Sequence, residues 1–338
     1  MVVVLSKPTG LSEDVLASAL ARAWDLPDAS LTYRPVGFGS HHWEGVDANG
    51  GRWWVTVDDL EIRRRSRLEA YDAAFDRLHA ALAVPAALRT HGRTFAVAPV
   101  AGMDGRYLAR FDDRYVVALY PYLDGQRFSW GEFATPEHRR AALDMVLGVH
   151  TAPASVRDGV GLDDFGVSQA DELESTLEEG GDVPAEGPYA RAMVKLVRAR
   201  AGTIRRHLAR YRDLVQRARA GTDRTVLTHG EPHAANTMLT ADGWVLIDWD
   251  TTLVAPPERD LWMIDPGDGS VLATYAEATG RAPLAAIVEL YRLRWTLTDI
   301  AVEVARFRRP HDGNAEDDAA WDILTSNLDA LERTAAGS

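Results

Sequence analysis

The pattern of apolar and polar positions predicts a strand-rich first part of the chain. The stretch LTYRPVGFGSHHWEGVDANGGRWWVTVDDL begins at Leu31 and divides into three β-type runs separated by glycine-containing turns. The Asn49-Gly50-Gly51 sequence between the second and third runs is a strong hairpin signal. Two further strands are predicted, one over TFAVAPV and on to about Ala109, the other over RYVVALYPYLDG. Five strands are therefore expected within about the first 120 residues.

Helical periodicity surrounds these strands and dominates the rest of the chain. Residues 11–24 are predicted to form a leading helix capped by Ser12, and residues 67–84 a packed helix with Leu68 among its apolar positions. Further helices are predicted over residues 136–150, 169–179, 189–220, 271–279, 285–306 and 318–331. In the helix over residues 285–306, Tyr291, Trp295 and Ile300 are predicted to be packing residues. We therefore predict an α+β fold with two lobes, a β-rich lobe over residues 1–120 and a helical lobe over residues 121–338.

Length and composition narrow the classes of function. A chain of 338 residues favours two lobes, and a cleft between lobes is where small ligands bind. The net charge of −13 argues against nucleic acid or an anionic membrane as a partner and is compatible with a cationic substrate. The absence of cysteine excludes disulfides, thiolate metal sites and cysteine nucleophiles. The start of the chain does not have the layout of a signal peptide, so we expect a cytoplasmic protein.

Candidate chemistry is concentrated in residues 226–264. The segment HGEPHAAN places Glu231 and Asn236 ahead of one apolar run, and LIDWD places Asp248 at the end of the next. An amide and a carboxylate are well suited to Mg²⁺ that is bound together with phosphate oxygens. Asn236 and Asp248 are therefore candidate metal ligands.

Other chemistries fit this segment poorly. HGEPH lacks the spacing of the zinc-protease motif, and Gly230 and Pro232 are incompatible with the helix that carries that motif. Zinc deaminases require cysteine ligands, and the chain has no G-x-S-x-G elbow for a serine nucleophile. Phosphoryl transfer needs a carboxylate near the acceptor hydroxyl as well as the metal ligands. Glu231, five residues before Asn236, is the candidate catalytic base.

The segments HGEPHAAN (229–236), LIDWD (246–250) and APPERDL (255–261) resemble the aminoglycoside phosphotransferase family, and within it the spectinomycin phosphotransferase-like proteins. The resemblance extends over most of the chain. It implies a protein-kinase-like fold, ATP or GTP as phosphate donor and Mg²⁺ as cofactor. It also implies that Glu231 is the catalytic base, that Asn236 and Asp248 bind the metal, that His229 braces the loop and that Asp260 organises the second lobe.

The nucleotide-binding half of the site is predicted in the first lobe. The sequence GFGS places Gly37, Gly39 and Ser40 at a turn where backbone amides can approach phosphates closely. An ordinary hairpin turn is the alternative interpretation of these glycines. By the resemblance, Tyr120 and Tyr122 lie in the hinge that contacts adenine through its backbone, and core packing is a second role for both aromatic rings.

Two positions depart from the family pattern. The family's base is normally aspartate, and Glu231 is longer by one methylene. The family also has a lysine on the third strand, where the matching residue here is most simply Thr56. The chain has no lysine over residues 8–194. Arg52 and Arg63 both remain candidates for a cation that binds phosphate in its place.

Two functions remain open at this stage. The leading hypothesis is an ATP- and Mg²⁺-dependent kinase for a hydroxyl of a small, cationic or sugar-like molecule, such as an aminoglycoside or aminocyclitol antibiotic. The alternative is a protein of the same fold that binds nucleotide or a small molecule without phosphoryl transfer. The altered base and the missing lysine favour this alternative. The acceptor, the choice between ATP and GTP and the oligomeric state are open.

Overall fold

The first part of the chain forms an antiparallel sheet of five strands. The computed structural model describes residues 6–8, 10–37, 39–178, 186–221 and 224–336. The strands are β1 (Ser30–Arg34), β2 (Ser40–Val46), β3 (Arg52–Asp59), β4 (Ala109–Arg110) and β5 (Tyr115–Pro121). They are ordered β1-β2-β3-β5-β4, and each neighbouring pair is antiparallel. Helices α2 (Leu60–Arg63) and α3 (Tyr71–Thr90) lie between β3 and β4 in the sequence.

The leading helix, α1 (Glu13–Trp24), confirms the predicted cap and covers one face of this sheet. The Ser12 side chain accepts a hydrogen bond from the backbone N–H of Val15 at 3.3 Å. The apolar side of the helix packs on buried residues of the sheet, which are Trp43, Val55, Val57, Val117 and Leu119. The sheet is therefore closed to solvent on the α1 side.

The opposite face of the sheet borders a cavity. Successive residues of a strand point to opposite sides of a sheet. In β3, Val55 and Val57 are fully buried in the core with α1, whereas Trp54, Thr56 and Asp58 line the cavity. The alternation along RWWVTVDD therefore places one set of residues in the core and the other set at the cavity.

Two sequence-based predictions are wrong in this part of the chain. The helix predicted over residues 67–84 is α3, which starts four residues later and continues to Thr90, and Leu68 is 96% exposed instead of packed. The predicted strand TFAVAPV is not a strand. Its Ala96 forms an isolated bridge with Leu246 of the helical part, so the segment runs along the junction of the two parts.

Residues 64–70 are held against the helical part, which explains why α3 starts late. Arg65 pairs with Asp164 at 2.6 Å, and Arg67 pairs with the buried carboxylate of Glu172. Gln169 donates its backbone N–H to the Arg65 carbonyl at 3.1 Å. These contacts fix the segment as a connection between the two parts, whereas apolar spacing alone predicts a helix.

The second part of the chain is mainly helical. Its helices are α4 (Pro136–His150), α5 (Ala170–Leu177), α6 (Ala190–Ala199), α7 (Ala201–Arg219), α8 (Glu258–Ile264), α9 (Ser270–Thr279), α10 (Ala285–Phe307) and α11 (Ala315–Ala336). The single helix predicted over residues 189–220 is interrupted at Arg200, between α6 and α7. The other predicted helices are confirmed with small differences at their ends.

Five short strands belong to the second part, and four of them flank the loops that contain the residues singled out in the sequence. They are β6 (Gly125–Arg127), β7 (Val226–Thr228), β8 (Thr237–Thr240), β9 (Gly243–Leu246) and β10 (Leu253–Ala255). β8 and β9 form a hairpin that β6 extends to three strands, and β7 pairs with β10. The loops that follow β7 and β9 therefore start from paired backbone.

The architecture is the predicted α+β fold with a sheet-containing first part and a helical second part. The helical part has a large core in which α10 packs against α5, α7 and α11. The second half of α3 also enters the helical part, where Val84 and Leu88 pack with Val149, Leu246 and Trp249. We propose a lobe boundary at residues 120 and 121, near the end of β5. Within the described ranges, every helix is too short or too polar to cross a membrane.

Candidate active site

All the side chains and turn residues predicted to form the site line one cavity of about 710 Å³ between the two parts. From the first part these are Gly37, Gly39, Ser40, Thr56 and Tyr120, from the connection Tyr122, and from the second part Glu231, Asn236 and Asp248. Gly37 and Asp248, which are more than 200 positions apart in the sequence, are therefore brought together. The geometry of their surroundings indicates what each can do.

The loop after β7 is organised by a buried carboxylate. Asp260 accepts the backbone N–H of His229 at 2.8 Å and that of Gly230 at 2.6 Å. Its Oδ2 also accepts a hydrogen bond from His150 at 3.0 Å. Burial alone would raise the pKa of Asp260, but the His150 hydrogen bond and neighbouring positive charge hold the pKa below its ordinary value. Asp260 is therefore ionised and fixes the path of the loop.

His229 connects this loop to the next one. Burial lowers its pKa to about 4, so the ring is neutral at pH 7. Its Nδ1 accepts the backbone N–H of Glu231 at 3.2 Å, and its Nε2 therefore carries the proton and donates to the Ile247 carbonyl at 2.9 Å. One neutral imidazole thus sets the spacing between the residue before Asp248 and the backbone of Glu231.

Position 230 requires glycine because side chains lie close behind the backbone of this loop. Its φ is +105°, and a Cβ added there would lie 2.5 Å from both Arg259 Nη1 and Thr251 Oγ1. Arg259 is itself fixed, because it donates to the Thr228 hydroxyl at 2.9 Å and to the Thr251 carbonyl at 2.7 Å. The glycine in HGEPH therefore lets the loop approach the arginine.

Asn236 and Asp248 supply oxygen atoms at the floor of the cavity. The Asn236 Nδ2 donates to the Glu231 carbonyl at 3.0 Å, which leaves its Oδ1 as the acceptor atom. Asp248 has a φ of +66°, an uncommon conformation for a residue other than glycine and one that concentrates at functional sites. Asp248 lines the cavity.

Negative charge accumulates around Asp248. Desolvation, followed by the charges of Asp250 and Glu231, raises the pKa of Asp248 well above its ordinary value. A divalent cation would reverse this shift, because it favours the ionised carboxylate. The described ranges contain no group of three or more His, Asp or Glu side chains arranged for a metal ion. The donors fit Mg²⁺ that takes its other ligands from phosphate and water.

Of the two arginines that the sequence left open, Arg63 lines the cavity with these residues and Arg52 does not. Arg63 ends α2, lines the cavity and forms ion pairs with Asp58 and Asp250. Arg52 is at the start of β3, where it pairs with Glu44 and lies over the Tyr122 ring. Arg52 therefore lies at the start of β3, and Arg63 lies beyond the other end of this strand.

Thr56 has a polar partner in the same cavity wall. Its Oγ1 lies 3.3 Å from His42 Nδ1, and the two residues are opposite each other in the β2–β3 register. The His42 ring stacks on Trp54 with centroids 5.3 Å apart. The guanidinium of Arg127 also lies over the Trp54 ring, 5.1 Å from its centroid. Burial lowers the pKa of His42 to about 4, so its ring is neutral at pH 7.

Residues 32–299 match the phosphotransferase enzyme family. The chain belongs to this family. Protein StrN of Streptomyces griseus is 32% identical to this phosphotransferase-family chain over 257 residues, which are 71% of this chain and 74% of StrN. The family predicted from HGEPHAAN, LIDWD and APPERDL is confirmed.

Solved structures confirm that the family member has the predicted protein-kinase-like fold. Spectinomycin phosphotransferase in complex with ADP and spectinomycin superposes with a TM-score of 0.69 at 15% identity, covering 96% of this chain and 99% of the other. A microcompartment-associated aminopropanol kinase gives a TM-score of 0.63 at 16% identity, with coverage of 96% and 98%. At these identities the similarity establishes the fold.

Sequence reasoning missed an aromatic wall at one end of the phosphotransferase cavity. Trp130 and Trp295 stack with centroids 5.4 Å apart, Trp262 lies 5.7 Å from Trp295, and His233 lies edge-on to Trp130 at 4.3 Å. All four line the cavity. Trp295 was predicted to be a packing residue of α10, because helical periodicity does not show whether an apolar face meets a core or a cavity.

Acidic groups accompany this wall. Asp299 is one helical turn after Trp295, lines the cavity and is close enough to Glu231 for the two negative charges to interact. Burial raises the pKa of Asp299 above its ordinary value. Glu231 Oε2 lies 3.8 Å from His233 Nε2. The spacing of Trp295 and Asp299 was a signal available in the sequence, since residues four apart share a helix face.

Proposed function

We propose that this chain is an ATP- and Mg²⁺-dependent phosphotransferase that acts on a hydroxyl of a small, cationic or sugar-like molecule. The observation that carries the proposal is the placement of Glu231, Asn236 and Asp248 in one cavity opposite the Gly37–Gly39 turn. Aminoglycosides and aminocyclitols, antibiotics among them, are the first acceptors to test. The proposed location is the cytoplasm, where ATP is available.

Glu231 is the proposed base. It is the carboxylate of the loop fixed by His229 and Asp260, and it faces the cavity beside the aromatic wall. A carboxylate within reach of the acceptor hydroxyl takes up its proton as the oxygen attacks the transferred phosphoryl group. The Glu231 carboxylate lies 3.8 Å from His233, which contacts Trp130, so the carboxylate is near the end of the cavity where the aromatic wall lies.

Asn236 and Asp248 are the proposed metal ligands. When bound, Mg²⁺ neutralises charge that develops on the phosphate oxygens. The Glu231 carbonyl orients the Asn236 amide through the hydrogen bond from Nδ2, and the backbone conformation of Asp248 directs its carboxylate into the cavity. The loops that carry the base and the metal ligands are thus tied to each other.

The nucleotide is proposed to bind along β2, β3 and the connection after β5. Gly37, Gly39 and Ser40 supply the turn beside the phosphates, Thr56 lies on the wall, and Tyr120 with Tyr122 borders the adenine end. Spectinomycin phosphotransferase, which shares the fold, has been solved with ADP. GTP as donor is an alternative that a direct comparison with ATP decides.

The acceptor is proposed to bind against the aromatic wall. Stacked indole rings bind the apolar faces of sugar rings and also attract cations. Asp299 and Glu231 add negative charge at the same end. Two proteins that share the fold are named for spectinomycin and aminopropanol as their substrates. A hydroxylated molecule with one or more amines would match both the aromatic wall and the negative charge beside it.

A binding protein without phosphoryl transfer is the second candidate. The observation that favours it is Glu231 at the position of the family's aspartate, together with Thr56 at the position of its lysine. An extra methylene can displace the carboxylate, and displacements of about 1 Å cost roughly 10²-fold in rate. The presence of both proposed metal ligands, Asn236 and Asp248, in the cavity supports the enzyme instead.

A screen of ADP release with Mg²⁺ and a panel of aminocyclitols, aminoglycosides and sugars tests the proposal. Acceptor-dependent ADP release should be abolished in D248A and reduced about 10²-fold or more in E231Q. D242N, an exposed change in the β8–β9 turn, is the control. Unchanged ADP release in D248A and E231Q would contradict the roles proposed for Asp248 and Glu231. Nucleotide-dependent thermal stabilisation without turnover on any acceptor would favour the binding protein.

A further inference from the structure

Arg63 has the environment of a fixed ligand-binding cation. Its Nε and Nη2 donate to Asp58 Oδ1 at 3.0 and 2.5 Å, and Nη2 also donates to the Ser40 hydroxyl at 2.8 Å. Nη1 pairs with Asp250. Ser40 donates in turn to Asp58 Oδ1 at 2.8 Å. The guanidinium is thus held by β2, β3 and the loop after β9, from both sides of the cavity.

The guanidinium remains charged in this position. Burial would lower its pKa, but the carboxylates of Asp250 and Asp58 outweigh burial and raise the pKa above its ordinary value. Only 19% of the side chain is exposed, and the exposed portion lines the cavity. A permanently charged planar donor at a polar cavity wall is suited to phosphate recognition.

Its location matches the phosphate end of the proposed nucleotide site. A Cβ added at Gly39 would lie 3.7 Å from Arg63 Nη2, so the guanidinium faces the backbone of the glycine turn. On the other side, Asp250 is two residues after the proposed metal ligand Asp248, whose charge acts on Arg63. Arg63 therefore lies between the turn and the metal end of the cavity.

The other arginines that line the cavity have different positions. Arg259 is committed to Thr228 and Thr251 behind the loop of Glu231. Arg294 forms a buried ion pair with Asp163, at 2.7 Å, in the helical part. Arg127 lies over Trp54. Among the cavity-lining arginines in the described ranges, Arg63 is the one placed at the glycine turn.

We propose that Arg63 binds the nucleotide phosphates beyond the α position, and that Asp58 and Ser40 position its guanidinium for this contact. The inference rests on the proposed function. Arg63 thereby supplies the charge that no side chain in the middle of β3 provides, since Thr56 is neutral. It reaches the phosphates from the helix that follows the strand, and its carboxylate partner, Asp58, is on the strand itself.

Binding of adenosine, ADP and ATP to the wild-type chain, R63Q and R63K, measured calorimetrically with Mg²⁺, tests the proposal. R63Q should weaken ADP and ATP binding roughly ten- to a hundredfold, the range expected for one charge-assisted contact, and leave adenosine binding within about twofold. R63K keeps the charge but loses the planar fork, so its affinity for ADP should be intermediate. D58N should weaken ADP binding in the same direction by misplacing Arg63.

R65Q is the matched control. Arg65 is two residues away and also joins the two parts, through Asp164, but it is absent from the cavity lining. R65Q should leave the ratio of ADP to adenosine affinity unchanged. Equal losses for adenosine and ADP in R63Q, or unchanged ADP binding in R63Q, would overturn the role of Arg63 alone. Failure of the folded wild-type chain to bind any of the three, and equally guanosine, GDP and GTP measured in the same way, would overturn this role and the proposed function together.

Discussion

The carboxylate of Asp260 holds the backbone of Gly230, whose N–H donates to Oδ1 at 2.6 Å. Asp260 belongs to α8, thirty residues further along the chain, and is completely buried. The loop that carries Glu231 therefore depends on a side chain from another element of the helical part. This dependence and the crowding at Gly230 lead to two separate predictions.

D260N should destabilise the fold and lower activity together. The amide has one acceptor atom where the carboxylate has two, and three donors are buried there, so we expect a loss of about 2–4 kcal/mol in the free energy of unfolding. Urea denaturation at pH 7 measures it, with the exposed change D242N as control. Because the pKa of Asp260 is below its ordinary value of 3.8, its contribution is complete at neutral pH and is lost as acid protonates it. Equal stability of D260N and wild type at pH 7 would contradict the role.

G230A should be more harmful than the same change at another positive-φ glycine. At Gly230 the new Cβ would lie 2.5 Å from Arg259 and Thr251 atoms, whereas at Gly243, with a φ of +117°, nothing lies within 4 Å. G243A therefore measures backbone strain alone, about 1 kcal/mol. G230A adds displacement of the loop, so it should cost at least about twice as much and lower kcat. Similar melting temperatures and kcat for the two variants would show that the loop adjusts freely.

The local part of the site was predictable because its residues are close in sequence. Glu231, Asn236 and Asp248 lie within 18 positions of the sequence. Residues that flank one hairpin stay close together in space however the rest of the chain folds. The glycine turn was predicted from GFGS between two strands, and the hinge position of the tyrosines was implied by the family resemblance. The structure adds their convergence on one cavity.

The remaining part depends on contacts between distant segments. Spacing could not choose between Arg52 and Arg63, because the choice is made by Asp58 on one lobe and Asp250 on the other. The predicted start of α3 was wrong because Arg65 and Arg67 form ion pairs with residues of the helical part. Trp295 was assigned to packing because a helical period identifies an apolar face without showing what faces it.

W295A should impair acceptor binding and spare the nucleotide. Trp295 is the centre of the aromatic wall, stacked on Trp130 at an interplanar angle of 15°. Loss of this surface removes stacking or cation–π contact, so KM for the acceptor identified in the screen should rise roughly tenfold. ADP affinity by calorimetry should not change. W295F keeps an aromatic ring and should recover most of the acceptor affinity. A parallel loss of ADP affinity would assign Trp295 a structural role instead.

E303Q should remove a pH-dependent loss of stability. Glu303 of α10 is fully buried, and within the described part of the chain neither carboxylate oxygen has a hydrogen-bond partner. Burial raises its pKa from 4.5 to about 7. The charge of Arg306 lowers this pKa, and the charges of Asp299 and Asp317 raise it. Between these two values the folded chain binds more protons than the unfolded chain, so the stability of the wild type falls as pH rises.

The loss from this one group amounts to about 3 kcal/mol between pH 4.5 and 7 and is constant above that range. Urea denaturation of wild type and E303Q from pH 4.5 to 8 measures it as a difference between the two curves. Wild type should lose stability relative to E303Q as pH rises through this window, whatever fixed cost the buried amide adds. E277Q, at an exposed position of α9, should run parallel to wild type. A constant difference between E303Q and wild type across the window would show that Glu303 titrates alike in the folded and unfolded states.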